Sequence, residues 1–415
     1  MYRRREEYSD VVVPYQGEGS TIKPQELAGM SGNEAVAYAT KQAKVDVVAA
    51  YPITPQTIMV ERFSEYVANG EVDAEFVCVE SEHSAMSACV GASLAGARVA
   101  TSTASQGLAL MHEVLYLASG LRCPIVMMVA NRALSPPINI HGDHSDMMGS
   151  RDSGWIQIYV ENPQEAYDWT LMAFKIAEDL EVQLPVTVNL DGFTVSHAME
   201  DLNVLSDDQV SDFLPPRKPV YKVEPEKPLT VGAMAMPDYY YEVKRQQEEA
   251  MRNAPRVLRK VTREYESTSH RKYGAVETFQ MDDAETAILC LGSTAGTVRS
   301  VVRQLREDGR RVGVIKPWLY RPFPSEEIGS LLGDLRVLAV LDRAISFGAV
   351  FSPVCSDVAS TLQDLEKRPK IFNVVCGLGG RDISPKDVRL IFEEADQIAR
   401  TGIVRDRLKF VGVRE

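Results

Sequence analysis

The sequence lacks the paired cysteines with which proteins commonly bind metal clusters. Its six cysteines include no C-x-x-C pair, and most of them stand within apolar runs. Cysteine ligands of structural zinc and of iron–sulfur clusters usually occur in such close pairs. We therefore predict that this chain by itself holds neither kind of site, and that its cysteines are buried free thiols in a reducing compartment.

Two further absences limit the location and the partners of the protein. No apolar run approaches the ~20 residues of a bilayer-spanning helix, and the arginines near the N-terminus precede no apolar secretory stretch. The formal net charge is -13, the opposite of the balance in proteins that bind nucleic-acid phosphates. We expect a cytoplasmic protein that binds neither membranes nor nucleic acid.

Three common catalytic motifs are also missing. The sequence contains no G-x-S-x-G elbow, no P-loop and no G-x-G-x-x-G after its first predicted strand. GLGGRD at 377–382 follows a predicted strand, but such a turn is weak evidence for a ligand site. Candidate residues must therefore come from the ends of the predicted strands.

Short apolar strands alternate with helices in both halves of the chain, a pattern typical of parallel sheets covered on both faces. In the first half we predict helices at 33–44, 55–69, 83–96, 106–120 and 163–182, and strands at 46–50, 75–80, 98–103, 124–131 and 183–190. In the second half we predict strands at 286–292, 310–316, 336–342 and 371–376, and helices at 295–308 and 385–401.

The predicted fold class is α/β, with two parallel-sheet domains. An irregular arm covers residues 1–28, the first domain 29–200 and the second domain 284–415. Residues 201–283 are first rich in proline and charge and then carry a charged helical pattern. This composition predicts a linker followed by an exposed helical connector.

Polar residues follow four successive strands of the first predicted domain. These strands lead into YPITP, ESEH, TASQG and NRAL. Because the carboxyl ends of parallel strands meet at one edge of a sheet, where ligands bind, the four ends predict a single site. The candidates at this edge are Pro52, Thr54, Glu82, Ser105, Gln106 and Arg132.

Each candidate also has a purely structural interpretation. Thr54 could cap a helix that starts at Pro55, and Glu82 could complement the dipole of the next helix. Ser105 and Gln106 could be plain capping residues.

The loop after the fourth strand offers structural partners of its own. Arg132 could pair with Asp143 or Asp146, both of which lie in this loop. His141 and His144 could bind a metal ion, although their spacing fits a polar loop framework better.

Collinear motifs resemble those of one enzyme family. YPITPQT, VESEHSAMSACVGASLAGARV, TASQGLALM, NRALS and GDHSD…RDSGWIQ occur in this order. They closely resemble the α subunit of pyruvate:ferredoxin oxidoreductase (pyruvate synthase), within the 2-oxoacid:ferredoxin oxidoreductase family. The similarity runs from about Met30 to beyond residue 200, and it continues more loosely through KPWLYRPFP, VLDRAISFG and CGLGGRD.

The resemblance implies a fold and an activity. The first domain would be a thiamine-diphosphate pyrimidine-binding-like domain, and the second would be like the C-terminal domain of transketolase. The implied reaction is the reversible oxidative decarboxylation of pyruvate with coenzyme A, giving acetyl-CoA, CO2 and reduced ferredoxin.

The resemblance also divides the cofactors among several chains. Thiamine diphosphate would be shared with a β subunit that binds its diphosphate and Mg2+, and the sequence agrees by lacking a G-D-G segment. The 4Fe-4S clusters are likewise expected on partner subunits, among them γ and δ subunits that pass electrons to ferredoxin. No metal ligand is expected in this chain.

Residue roles follow from the same resemblance. Glu82, rather than Glu80, would be the catalytic residue, because it hydrogen-bonds the pyrimidine ring and promotes the tautomer that accepts the proton of the thiazolium carbon. Thr54 and Arg132 would face the 2-oxo acid, with two prolines holding Thr54 in place. The implied cofactor contacts are Glu82, Pro52, Ser105 and Gln106.

Other functions stay open at this point. An α subunit for 2-oxoisovalerate or another 2-oxo acid would share these motifs, whereas the threonine of YPITP argues against the oxalate enzyme. A non-catalytic scaffold subunit is the alternative of another class, and the joint presence of Glu82, Thr54 and Arg132 argues against it. A thiamine-dependent dehydrogenase component that passes acyl groups to lipoamide would belong to a complex without iron.

Overall fold

The computed structural model describes residues 25–414. Most of the predicted arm, 1–28, lies outside the described residues. The described part contains a seven-stranded sheet, a six-stranded sheet and a two-stranded ribbon. Within it, none of the helices combines the length and the apolar character that crossing a membrane requires.

Strands and helices alternate along most of the described chain. The strands are β1 (Glu26–Ser31), β2 (Val47–Ala50), β3 (Glu75–Cys78), β4 (Val99–Thr103), β5 (Ile125–Asn131), β6 (Ile156–Val160), β7 (Val186–Asp191), β8 (Met199–Val204), β9 (Val276–Phe279), β10 (Thr286–Leu289), β11 (Val312–Pro317), β12 (Leu319–Arg321), β13 (Val337–Asp342), β14 (Lys370–Val375) and β15 (Leu408–Phe410). The helices are α1 (Gly32–Gln42), α2 (Thr57–Ala68), α3 (Glu82–Leu94), α4 (Ser105–Leu110), α5 (His112–Gly120), α6 (Ser145–Gly149), α7 (Pro163–Glu178), α8 (Asp207–Phe213), α9 (Pro237–Ser269), α10 (Thr294–Glu307), α11 (Ser325–Leu332), α12 (Pro353–Thr361) and α13 (Pro385–Thr401).

The seven-stranded sheet has the order β12-β6-β7-β5-β4-β2-β3. Every neighbouring pair is parallel except β12 with β6. From β2 the chain goes to β3 on one side and then returns to β4 on the other. A topological switch point therefore lies between β2 and β4, where a crevice forms beyond the carboxyl ends.

The six-stranded sheet has the order β15-β14-β13-β10-β11-β9, and only β9 is antiparallel to its neighbour. Its switch point lies between β10 and β13. Strand β12, which follows β11 along the chain, does not join this sheet. It pairs instead with β6 in the seven-stranded sheet. The predicted α/β class with parallel sheets is confirmed.

Side-chain caps set several helix starts. The Ser31 hydroxyl accepts the N–H of Glu34 at 3.3 Å, and the Glu34 carboxylate accepts the N–H of Ser31 at 2.9 Å. The same reciprocal arrangement of Ser384 and Asp387 starts α13. Each cap satisfies N–H groups that the first helical turn leaves without partners.

Helix α7 forms the centre of the first core. Its side chains are buried almost all round, including Tyr167, Trp169 and Phe174, which are 0% exposed. Burial of each such side chain contributes about 1.5–3 kcal/mol. Helices α1 and α9 pack on α7, which itself packs on β7 and β5.

The predicted connector is one 33-residue helix, α9, which continues through Pro255. Its first half is exposed as predicted, but from Ala250 onward one face is buried in the first core. The prediction of an exposed connector is therefore wrong for the second half. A buried carboxylate on α7 anchors the chain just after α9. Asp168 accepts hydrogen bonds from Arg271 Nε and the Tyr273 hydroxyl, both at 2.6 Å.

The predicted linker also contains regular structure. Strand β8 pairs antiparallel with β1, and α8 follows it. Further along, the N–H of Val223 donates to the Leu94 carbonyl at 2.8 Å, so this segment runs along the first domain. Proline and charge in the sequence indicate irregular backbone but do not reveal such contacts.

Five of the six cysteines are buried, as predicted, and Cys78 is exposed. Burial raises the pKa of the Cys89 thiol to about 12 and that of Cys123 to about 11. Thiols with such pKa values stay protonated at neutral pH and are unreactive.

Candidate active site

Four adjacent strands, β5-β4-β2-β3, bring polar residues to one edge of the seven-stranded sheet. They are parallel, so their carboxyl ends lie side by side across the switch point. The sequence-predicted residues follow these four strands directly. They are Pro52, Thr54, Glu82, Ser105, Gln106 and Arg132.

The buried side chain of Gln56 fixes the turn after β2. Its amide donates to the carbonyls of Tyr51 at 3.2 Å and Ser102 at 2.8 Å, which ties the turn to β4. Helix α2 starts only after Gln56 and has no side-chain cap, so the capping interpretation of Thr54 is wrong. The Thr54 side chain is exposed at the edge, and its carbonyl accepts a hydrogen bond from Arg132 Nη1 at 2.9 Å.

Glu82 lies buried in the first turn of α3, where the helix dipole favours a negative charge. Ser81, not Glu82, caps this helix. Among residues 25–414, the Glu82 carboxylate makes no hydrogen bond, and the nearby buried Thr103 hydroxyl also has no partner. A Cβ on Gly107 would lie 2.5 Å from Glu82 Oε1 and 2.6 Å from Thr103 Oγ1, so glycine lets both side chains lie against the backbone of α4. Buried polar groups of this kind require a partner, here from outside the chain.

Ser105 joins the ends of β4 and β5. It is fully buried, and its φ of 48° is a strained backbone conformation of the kind found at functional sites. Its hydroxyl lies 2.6 Å from both the Ala133 carbonyl and Gln106 Oε1. The N-cap of α4 is Ala104, so the capping interpretation of Ser105 and Gln106 is wrong.

The buried guanidinium of Arg132 is held by two backbone carbonyls. Nε donates to the carbonyl of Asn139 at 2.7 Å and Nη1 to that of Thr54 at 2.9 Å. It forms no ion pair with Asp143 or Asp146, so that interpretation is wrong. Within the described part of the chain, Nη2 has no acceptor. A fixed guanidinium with one free corner suits a ligand carboxylate.

Asp146, which the sequence did not single out as a site residue, links these strand ends. Its Oδ2 accepts the backbone N–H groups of Ser105 at 3.0 Å and Arg132 at 2.9 Å. Its Oδ1 accepts Nδ2 of Asn131 at 2.9 Å and the N–H of Met147 at 2.7 Å. Burial raises the pKa of Asp146 to about 6 in spite of these donors. Three of its four partners, Ser105, Asn131 and Arg132, come together with it only in the fold, so no sequence motif marks it.

Asp191, at the end of β7, meets the second sheet. Its carboxylate lies 2.6 Å from His144 Nε2 and 2.8 Å from both Arg343 Nη1 and the N–H of Ser293. Burial acts to raise its pKa, but the contacts with Arg343 and His144 hold the pKa of Asp191 well below the usual range. The residues at the switch point of the second sheet therefore bind a carboxylate from the first half of the chain.

The two loop histidines serve different contacts. His144 meets Asp191, whereas the ring of His141 packs against Phe193 with a centroid separation of 5.0 Å. The structure thus supports the polar-framework interpretation of this loop.

A buried ion network is the strongest metal-like cluster in the described chain. Oxygens of Glu161, Glu165 and Glu277 lie within 4.8 Å of one another. Lys316 Nζ lies 2.6–2.8 Å from all three, at the position that a cation would take. The cluster is therefore an ion network, which joins the two halves of the chain.

Comparison with known families shows the family of this chain. Residues 38–263 match the family described as pyruvate flavodoxin/ferredoxin oxidoreductase, thiamine diP-bdg, and this match alone covers more than half of the chain. The chain belongs to the pyruvate:ferredoxin oxidoreductase family, as an α subunit. Residues 284–388 match pyruvate:ferredoxin oxidoreductase core domain II, which confirms the resemblance in the second half as well.

Relatives of this α subunit are similar over nearly their whole length. The pyruvate synthase subunit PorA of Thermotoga maritima is 50% identical over 94% of this chain and 99% of its own. The PorA subunit of Methanocaldococcus jannaschii is 47% identical over the same shares. The ketoisovalerate oxidoreductase subunit VorA of Pyrococcus abyssi is 45% identical over 90% of this chain and 94% of its own.

A solved structure shares the fold. The 2-oxoglutarate:ferredoxin oxidoreductase from Magnetococcus marinus, with 2-oxoglutarate, coenzyme A and succinyl-CoA bound, superposes with a TM-score of 0.68 at 20% identity. The superposition covers 89% of this chain and 66% of that chain, so this α subunit spans less than two thirds of its length.

The geometry of the edge fits a thiamine pyrimidine. Such a ring offers a nitrogen to a buried acid and an exocyclic amine to nearby acceptors. Glu82 is a buried residue whose carboxylate makes no hydrogen bond within residues 25–414, and the buried Thr103 hydroxyl near it has no partner there either.

Proposed function

We propose that this α subunit acts in the thiamine diphosphate-dependent oxidative decarboxylation of pyruvate. Coenzyme A would accept the acetyl group and ferredoxin the electrons, giving acetyl-CoA and CO2, and the reaction would run in both directions. The carrying observation is the buried, unpartnered carboxylate of Glu82 at the switch point of a thiamine-family domain. An isolated structural acid would be hydrogen-bonded within the chain.

Glu82 would be the catalytic residue. When bound, thiamine diphosphate supplies a nucleophilic carbon that attacks the 2-oxo group. The Glu82 carboxyl would hold a proton at the pyrimidine nitrogen, beside Thr103 and the backbone of Gly107. Pro52, Ser105 and Gln106 would line the same edge as cofactor contacts.

Arg132 and Thr54 would orient the substrate. The free Nη2 corner of Arg132 offers donors to the pyruvate carboxylate, and the exposed hydroxyl of Thr54 lies on the adjacent turn. The Nη1 contact to the Thr54 carbonyl keeps the two residues together before substrate arrives. Such preorganisation reduces the ordering that binding requires.

The remaining chemistry would belong to partner chains. We propose a β subunit that binds Mg2+ and the diphosphate, and γ and δ subunits that complete the 4Fe-4S chain to ferredoxin. We also propose a cytoplasmic complex, and domains at 29–200 and 284–415 joined by residues 201–283, with the arm at 1–28. The second domain would be like that of transketolase.

A related substrate is the second candidate. The 45% identity to a ketoisovalerate oxidoreductase subunit favours 2-oxoisovalerate over other substrates as the alternative. Steady-state comparison of pyruvate and 2-oxoisovalerate on the assembled complex decides between them, and a higher kcat/KM for the branched acid would reverse our choice. The substitution Glu82→Gln decides whether the scaffold alternative holds.

Substitution Glu82→Gln in the assembled complex tests the proposal. We expect pyruvate-dependent viologen reduction to fall about 10²–10⁴-fold, because the amide cannot transfer the proton. Subunit composition should stay unchanged. Glu80→Gln is the matched control, since Glu80 is exposed and contacts only the nearby Ser84 hydroxyl. Equal turnover of the two variants would support a scaffold role instead.

A further inference from the structure

We infer that the glycine turn of the second domain, Gly377–Gly380, is a positioning element for Arg132. The inference rests on the proposed substrate role of Arg132 and assigns a function to GLGGRD, which the reaction itself does not use. The turn follows β14, on the six-stranded sheet, whereas Arg132 follows β5 on the seven-stranded sheet.

A short chain of hydrogen bonds connects the two. Arg132 Nε donates to the carbonyl of Asn139 at 2.7 Å, and Asn139 Nδ2 donates to the carbonyl of Gly379 at 3.0 Å. The N–H of Gly379 donates back to Asp143 Oδ2 at 3.0 Å. The turn therefore holds the loop 139–143 at both ends, and that loop supplies one of the two carbonyls that fix the guanidinium.

The approach of the turn requires glycine. Gly379 and Gly380 have φ values of +57° and +76°, which other residues rarely adopt. A Cβ on Gly379 would collide with Nδ2 of Asn139, and one on Gly380 would collide with the side chain of His141. A substitution at Gly379 would displace the Asn139 amide and break its contact with the turn, and one at Gly380 would push the loop itself at His141.

A displaced loop would turn the guanidinium. If the loop moves, the hydrogen bond to the Asn139 carbonyl draws Arg132 Nε with it, while Nη1 remains bonded to the Thr54 carbonyl on the first sheet. The planar guanidinium must then rotate. Its free Nη2 corner then no longer faces the same point. Two-donor recognition of a carboxylate depends on this direction, so the expected defect is weaker pyruvate binding.

Steady-state kinetics of the assembled complex test the inference. We expect Gly379→Ala to raise the KM for pyruvate about 10-fold or more, since small misplacements of an orienting group are costly. The kcat should change less than about 3-fold, and the KM for coenzyme A should not change. Gly402→Ala is the matched control, because it has a φ of +70° in the same domain but open space around it.

A double substitution separates positioning from general damage. If the turn acts through Arg132, Gly379→Ala will add nothing to the pyruvate KM of an Arg132→Ala complex. If Gly379→Ala blocks assembly, Asn139→Ala carries the same test. It removes the Nδ2 contact with the turn, together with the Oδ1 contact to the N–H of His141, and keeps the carbonyl.

Three results would overturn the inference. They are a wild-type pyruvate KM in the assembled Gly379→Ala or Asn139→Ala complex, an equal effect in Gly402→Ala, or multiplied effects in the double variant. An unchanged KM in Arg132→Ala alone would instead refute the substrate role of Arg132 and, with it, the inference. The two failures are thus distinguishable.

Discussion

At the scale of single residues, the site depends on carboxylates whose partners differ in kind. Glu82 is buried without a partner in the described chain, whereas Asp146 accepts four N–H groups. The first arrangement leaves a carboxylate for a ligand, and the second fixes the backbone from which Ser105 and Arg132 project. Similar burial therefore corresponds to different roles.

The raised pKa of Asp146 predicts pH dependence. The pKa of Asp146 in the folded chain, about 6, exceeds the ordinary 3.8. The protonated carboxyl group therefore favours the folded state, and this contribution is lost as the pH rises from about 4 to 6. Above that range the group is ionised. Below about pH 6 the protonated oxygen can no longer accept every N–H. We expect the pyruvate KM to rise about 5-fold between pH 7.5 and 5.5, the effect of losing roughly one hydrogen bond.

Asp146→Asn identifies the group responsible. Its amide nitrogen cannot accept an N–H at either pH, so the KM should be raised already at pH 7.5 and should vary little down to pH 5.5. Asp143, the other charge that raises the pKa of Asp146, stays in place in this variant. A variant with the same pH profile as the wild type would contradict the assignment.

At the scale of elements, the turn after β2 is stiffened by more than its prolines. Gln56 spans the turn and the neighbouring strand, and Asn33 Nδ2 donates to the Pro55 carbonyl at 2.8 Å. Thr54 is thus presented on a backbone whose carbonyls are bonded on both sides. The two prolines restrict the backbone, but the side chains of Asn33 and Gln56 decide where the turn lies.

Gln56→Ala tests this role of the turn. The carbonyls of Tyr51 and Ser102 would lose a buried donor, which should lower the free energy of unfolding by about 1–3 kcal/mol. The pyruvate KM should rise about 10-fold with the KM for coenzyme A unchanged. Gln397→Ala, on the exposed face of α13, should change neither stability nor KM. Equal pyruvate KM values in the two variants would contradict the role.

The sequence predicted those elements whose signal is local. Strand–helix alternation gave α1 and α13 nearly to the residue, and the strand ends gave the edge where the candidates lie. Strand β6 was missed because its five residues follow a long polar loop, and its partner β12 is supplied from the second half of the chain. Gln56 and Asp146 were missed because their function depends on distant carbonyl and N–H groups.

At the scale of the whole molecule, the two sheets meet through the ends of their strands. Asp191 after β7 binds residues that follow β10 and β13, and the glycine turn after β14 holds the loop after β5. The candidate site thus rests against the second domain. We therefore expect substitutions in the second domain to affect the proposed substrate binding.

A buried ion network strengthens this junction at some distance from the site. Burial acts to lower the pKa of Lys316, but Glu165, Glu161 and Glu277 hold it above the usual value, so the ammonium keeps its charge at physiological pH. Glu161 and Glu165 follow β6, a strand of the seven-stranded sheet, whereas Lys316 and Glu277 lie on β11 and β9 of the six-stranded sheet. The network is a contact between domains.

Lys316→Met should therefore weaken the whole molecule. It leaves the buried Glu165 without a cation and Glu161 and Glu277 with Arg299 alone, and breaking a buried ion pair in this way costs about 3–5 kcal/mol. Denaturant unfolding of the purified chain measures the loss. Arg245→Met is the control, because its pair with Glu249 is exposed on α9 and contributes about 0.5 kcal/mol or less. Equal losses in the two variants would mean that the network does not hold the domains together.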